Sequence, residues 1–162
     1  MVRSFRTGVS ILLTAVGLFA TFGSLTAADE PPVSGDFKGN GREAKLAYVT
    51  AVKGEPLAGK PTIVIVITER DHSAAEKPQV LAGFGKFGSA LIITVYQDGK
   101  IVGCEVAHAA HAKGAFSSLG TIMMSDFRLE GGTIQGQLST GGETETFGQK
   151  WEVDLKFRAK AP

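Results

Sequence analysis

The residues best suited to chemistry lie in one stretch, Cys104-Glu-Val-Ala-His108-Ala-Ala-His111. One thiolate and two imidazoles are good ligands for zinc or copper. Spacing decides whether they converge. In a helix, positions 104, 108 and 111 follow i, i+4 and i+7 and line one stripe. In a strand, Cys104 and His108 share a face but stand roughly 13 Å apart, at about 3.3 Å per residue. Ligand bonds of about 2.0–2.3 Å do not span that gap. The alanines at 107, 109, 110 and 112, with Gly114 beyond them, favour a short helix from about Ala107. Cys104 itself belongs to a strand on the hairpin pattern given below, which breaks the stripe. The expectation is therefore a buried, apolar Cys104 and two histidines on a surface turn, with no cofactor. The alternative is a zinc or copper site on His108 and His111, completed by His72 or Cys104.

Other motifs carry weaker chemistry. Gly83-Phe-Gly85-Lys-Phe-Gly88 matches G-x-G-x-x-G. A dinucleotide fingerprint needs a strand before it and a helix after it, whereas here a loop precedes and a strand follows. Phe84 and Phe87, set among glycines, either fold back on the core or form an apolar tip for a partner, and lone phenylalanines usually bury. With His72 they form the candidate binding set. Asp71-His72-Ser73 holds an acid, an imidazole and a hydroxyl, but adjacent residues do not make a triad. Ser117 and Ser118 lack a nucleophile elbow. Glu143 and Glu145 read as a solvated hairpin edge. Trp151 falls within a strand alternation and reads as core. No nucleophile, base and orienting group can be assembled, so no catalytic residue is assigned and the protein is expected not to be an enzyme.

The elements that position these residues are mostly strands. Thr62-Ile-Val-Ile-Val-Ile-Thr68 is apolar on both faces and predicts a central strand covered on both sides. Glu43–Lys53 alternates, with Ala44, Leu46, Tyr48 and Val52 on one face. Ala90–Gln97 and Lys100–Val106 flank Asp98-Gly99, suited to a two-residue turn. That turn pairs Val95 with Val102, Ile93 with Cys104 and Leu91 with Val106, all on one face. Leu119–Glu130 and Thr133–Thr140 flank Gly131-Gly132, which pairs Leu129 with Ile134, Phe127 with Gly136 and Ser125 with Leu138. The last strand alternates Trp151, Val153, Leu155 and Phe157 with charged residues. The stretch Glu69–Gly88 is the longest without strand character, and Glu76–Leu81 has room for a helical turn. Glycine is abundant, 21 in all, and punctuates β-branched runs rather than recurring periodically. The fold expected is all-β, a two-sheet antiparallel β-sandwich of about seven to eight strands, with an up-and-down β-barrel as the alternative.

The N-terminus supplies an address. Arg3 and Arg6 precede an apolar run, Val9–Ala20, and small residues lead to a cleavage point after Ala28. That order reads as an export signal over residues 1–28, followed by a flexible lead over 29–42 and a single β domain over 43–162. Export places the protein in the periplasm or the extracellular medium, with no membrane attachment after cleavage. Losing Arg3 and Arg6 leaves 15 basic and 16 acidic residues, a net charge of −1. Near-neutrality gives no electrostatic case for nucleic acid. Cys104 is the single cysteine, so no intramolecular disulfide forms. The function expected is a non-enzymatic binding or structural module for a protein or surface partner. A metal-handling protein built on His108 and His111 is the alternative.

Overall fold

Runs of alternating apolar residues must bury one face each, and they do so here by pairing into two sheets. The computed structural model describes residues 30–162. The expected export signal, residues 1–28, and its cleavage point after Ala28 lie outside the described residues. The strands are β1 (Val33–Gly39), β2 (Arg42–Glu43), β3 (Tyr48–Leu57), β4 (Lys60–Thr68), β5 (Ala90–Tyr96), β6 (Ile101–Ala107), β7 (Phe116–Ser117), β8 (Met123–Glu130), β9 (Thr133–Ser139), β10 (Thr144–Thr146) and β11 (Gln149–Lys160). One helix, α1 (Pro78–Gly83), lies between β4 and β5. No helix among the described residues is long and apolar enough to cross a membrane.

One sheet runs β2-β1-β11-β9-β8, with β10 added beside β11, and the other runs β3-β4-β5-β6-β7. Every pairing is antiparallel, and the sheets are not closed into a barrel. The molecule is a β-sandwich. Its core interleaves Ile65, Ile67, Leu91, Ile93 and Val95 from one sheet with Ile134, Leu138, Trp151, Val153 and Leu155 from the other. Each such side chain contributes about 1.5–3 kcal/mol by leaving water. The central strand β4 is covered on both faces, as its sequence requires. Ile63, Ile65 and Ile67 face the core, while Val64 and Val66 face a smaller cluster that α1 closes with Ala82.

Four local expectations need correction. Most of the lead expected over 29–42 is sheet: β1 pairs along β11 from Val33↔Phe157 to Gly39↔Trp151. Its inward positions include glycines, so Phe37 stands nearly alone as an apolar signal. The alternation over Glu43–Lys53 is not one strand. Ala44 N–H bonds to Phe37 O in the first sheet and Ala47 N–H to Thr68 O in the second, so the chain crosses between sheets there. The crossing reverses the faces: Val49 and Ala51 pack inward, and Tyr48 is exposed.

Both hairpin registers contain a bulge. Tyr96 N–H bonds to Lys100 O, so the first loop is the three residues Gln97-Asp98-Gly99. Val95 therefore faces Ile101, and an extra residue at Val102 restores the expected Ile93↔Cys104 and Leu91↔Val106 pairs. The second hairpin keeps Leu129↔Ile134 across Gly131-Gly132 but slips between Ser125 and Arg128. There Asp126 takes φ +51°. Met124 then faces Leu138, Phe157 covers Gly136, and Phe127 swings onto Gly99 in the other sheet.

Candidate functional site

The expected helix from Ala107 does not form, because side chains from elsewhere take its backbone hydrogen-bonding groups. β6 ends at Ala107, and His108–His111 closes a tight turn through His111 N–H to His108 O, 2.9 Å. Asn40 donates from Nδ2 to Ala110 O at 3.1 Å and to Gln149 Oε1 at 3.0 Å. Its own Oδ1 accepts from Lys150 N–H at 2.9 Å. Gln149 Oε1 also accepts from Ala112 N–H, and Ser89 Oγ from Ala109 N–H. The β1–β2 turn and the start of β11 thus clamp the histidine turn to the sandwich.

The turn was expected at the surface, yet His108 and His111 are only 6% and 7% exposed. Gly39 makes this possible. Its bare Cα lies against His108 Cγ and Nδ1 and His111 Nε2, where a Cβ has no room. Phe37, His108, His111 and Phe116 follow one another with ring centroids 5.1, 5.2 and 5.2 Å apart. Ala110 N–H donates to His108 Nδ1 at 3.0 Å, which puts the imidazole hydrogen on Nε2. His111 Nε2 lies 3.0 Å from Lys150 O. A carbonyl only accepts, so Nε2 donates and the neutral ring presents Nδ1 as an acceptor. Burial, and secondarily His111 beside it, hold His108 below the usual imidazole range.

Cys104 does not join them. Its side chain points between the sheets, opposite Ile93 on β5 and within the main core. Burial, with Glu105 adjacent, pushes its thiol up to about 12. Among the described residues no three of His, Cys, Asp or Glu gather where a metal ion could be held.

His72 stands apart from this turn. Thr68 Oγ1 donates to Arg70 O at 2.7 Å, so it accepts from His72 Nδ1–H at 2.6 Å. His72 Nε2 then accepts from Thr50 Oγ1, 2.8 Å away. Both nitrogens are satisfied and burial lowers the ring's pKa, so His72 fastens the loop after β4 to β3. Phe87 tilts against it at 5.7 Å and packs on the smaller cluster, while Phe84 is 78% exposed. Phe87 therefore folds back on the core, and Phe84 stays at the surface.

A cleft of about 780 Å³ lies between α1 and the 105–115 limb. Gln79, Val80, Gly83 and Phe84 form one wall, and Glu105, Ala107, His108 and His111 the other. Alternation on β6 puts Cys104 and Val106 inside the sandwich, hence Glu105 and Ala107 outside, under α1. Gly83 meets the Glu105 carboxylate with its bare Cα. Burial raises the pKa of Glu105. Three buried polar atoms have no hydrogen-bond partner among the described residues: Gln79 Oε1, His108 Nε2 and His111 Nδ1. All three residues line this cleft.

Gln79 and Glu105 escape a motif search, since a lone glutamine on a short helix and a lone glutamate on a strand are ordinary residues. The G-x-G-x-x-G run supplies the end of α1 at Gly83 and positive-φ turns at Gly85 (+70°) and Gly88 (+78°). A helix precedes it and β5 follows, the reverse of a dinucleotide site. Asp71 Oδ1 accepts from Ser73 N–H at 2.8 Å, a local turn. Ser118 is buried, bonded to Thr121 and Thr146. Glu143 pairs with Lys150 at the β10–β11 edge, 3.0 Å apart. The chain matches no family model, no curated protein and no solved structure.

Proposed function

We propose that this protein is an exported, non-enzymatic binding module that receives a small molecule in the cleft between α1 and the histidine turn. One observation carries the reading: the three buried side-chain atoms without a hydrogen-bond partner among the described residues, Gln79 Oε1, His108 Nε2 and His111 Nδ1, all belong to residues that line one cleft. A buried polar group left unpaired costs about 1–3 kcal/mol, and a ligand that bonds to it removes that cost. The volume matches the roughly 300–1,000 Å³ of small-molecule sites. Among the described residues that line the cleft there is no serine, threonine or cysteine nucleophile, which favours binding over turnover.

Native mass spectrometry and thermal melts of wild type and Ala109→Trp test this. Ala109 is exposed and lines the cleft, so tryptophan blocks it without touching the core. A compound at about 100 times its dissociation constant stabilises the fold by about 2.7 kcal/mol. The expected result is a one-to-one adduct whose stabilisation disappears in the blocked variant. Equal stabilisation of both proteins overturns the reading, as does a broad small-molecule set that stabilises neither.

Zinc or copper is the second reading, favoured by two imidazoles 5.2 Å apart: His111 Nδ1 offers a lone pair, and His108 Nε2 becomes a ligand on giving up the hydrogen that the Ala110 N–H to Nδ1 bond places there. It requires a third ligand from outside the described residues or from solvent. Metal analysis of protein purified without chelator tests it, with about one ion per chain, lost in His111→Ala, as the supporting result.

A further inference from the structure

The hydrogen-bonding groups in the cleft are unequal in kind. The Glu105 carboxylate is an acceptor with accessible surface, while Gln79 Oε1 and His111 Nδ1 are acceptors buried behind the cleft walls. The two ion pairs among the described residues, Lys38–Glu152 and Lys150–Glu143, leave Glu105 without a cation, and it takes part in none of the side-chain hydrogen bonds found there. It is half-buried. His108 Nε2–H is the one donor among the unpartnered atoms. Lys113 lines the cleft with an exposed side chain but is not within ion-pair distance of Glu105. Apolar surface from Val80, Phe84 and Ala115 continues from the acceptors to the mouth.

From this arrangement, and resting on the cleft reading above, we infer that the ligand is a primary organic ammonium ion with a short apolar tail. Its –NH₃⁺ carries donors and no acceptor, which suits a carboxylate that only accepts. Its charge meets the one carboxylate on the cleft walls, and a desolvated carboxylate gains most from a charge-assisted bond. The tail lies on Val80 and Phe84, and the ring face of Phe84 adds attraction for a cation. A carboxylate ligand meets repulsion from Glu105. A neutral alcohol brings Glu105 a donor without the opposite charge.

Isothermal titration with benzylamine, benzyl alcohol, benzoate and tetramethylammonium tests this on wild type, Glu105→Gln and Ala109→Trp. Benzylamine is expected to bind at least tenfold more tightly than the other three. Glu105→Gln, which keeps the shape and removes the charge, is expected to weaken benzylamine tenfold or more while leaving benzyl alcohol within twofold. Thermal melts of the variant establish that it is folded. Tighter binding of benzoate or benzyl alcohol, lost in Ala109→Trp, overturns the ammonium inference and leaves the cleft reading standing. Benzylamine binding unchanged by Glu105→Gln overturns the inference by itself. No binding of any probe overturns the inference, and the wider screen above then decides the cleft reading separately.

Discussion

Gly39→Ala tests how the two site histidines are held. Glycine in a strand is ordinarily a weakness, and alanine there gains about 0.5–1 kcal/mol. At Gly39 the sign reverses. The backbone is not in the left-handed region, so conformation is no obstacle. The new Cβ stands 2.7 Å from His111 Nε2 and closer still to His108 Cγ and Nδ1. Neither ring has room to retreat. His108 is backed by Phe37 at 5.1 Å, and His111 by Phe116 at 5.2 Å. Overpacking of this kind costs about 1–3 kcal/mol. Displacing the rings also breaks the Ala110 N–H to His108 Nδ1 bond and the His111–Lys150 O bond. Each contributes about 1 kcal/mol net. The expected loss is about 2–5 kcal/mol, or a fall in melting temperature of roughly 8–20 °C for a domain of this size.

Calorimetric melts measure this, and a mutant cycle identifies the cause. In the His108→Ala/His111→Ala background the collision has no partner. There Gly39→Ala is expected to be within about 1 kcal/mol of neutral, so the coupling approaches the whole effect. A melting temperature within about 2 °C of wild type refutes the packing argument. So does an equal loss in both backgrounds, since that places the cost in the strand and not in the rings.

Cys104 is expected to resist thiol reagents at pH 8 in the folded protein and to react stoichiometrically in denaturant; rapid native labelling refutes its place between the sheets. Stability is expected to fall as pH drops below about 6.5, because burial lowers the pKa of His72 and His108 in the fold while the unfolded chain takes up protons freely. The stabilisation is complete above that value and is lost at up to about 1.4 kcal/mol per pH unit for each ring, so denaturant midpoints between pH 7.5 and 5.5 should fall less steeply in His72→Gln. Phe127→Ala is expected to cost about 2–3 kcal/mol by equilibrium unfolding, below the roughly 3–5 for a fully buried ring, since Phe127 is half-buried over Gly99. A loss under about 0.5 kcal/mol, the scale of ordinary surface sites, refutes its bridging role between the hairpins.

Strand identity is legible in the sequence wherever the apolar pattern is unambiguous. β4 announced itself by being apolar on both faces, and β11 by strict alternation. Register was harder, because a bulge leaves no mark in hydrophobic periodicity. In the first hairpin the error at the turn and the bulge at Val102 cancel, so the inner pairs Ile93↔Cys104 and Leu91↔Val106 stand as read. In the second nothing compensates the slip beside Asp126, and Phe127 points at a partner the sequence pattern did not suggest. Asn40-Gly41 is the sharpest miss. Asn-Gly between strands is a strong hairpin signal, and its φ values of +46° and +76° are those of such a turn. It lay inside residues read as a flexible lead. Losing it also hid the clamp on the histidine turn, since Asn40 reaches Ala110 across 70 positions.

The three histidines show why burial alone is a poor guide to function. All are nearly inaccessible, at 2%, 6% and 7% for His72, His108 and His111. His72 bonds both nitrogens to threonine hydroxyls held by β3 and β4, so its whole polar capacity goes into the fold. His108 and His111 each give one nitrogen to the backbone and leave the other bare. The same chain can therefore satisfy a buried imidazole completely, and at these two positions it does not. A random packing fault would scatter such atoms through the core. Here both bare nitrogens belong to residues that line one cleft, as do Gln79 and an uncompensated Glu105. Incomplete satisfaction confined to the residues of one cleft favours the proposed small-molecule site over a packing fault.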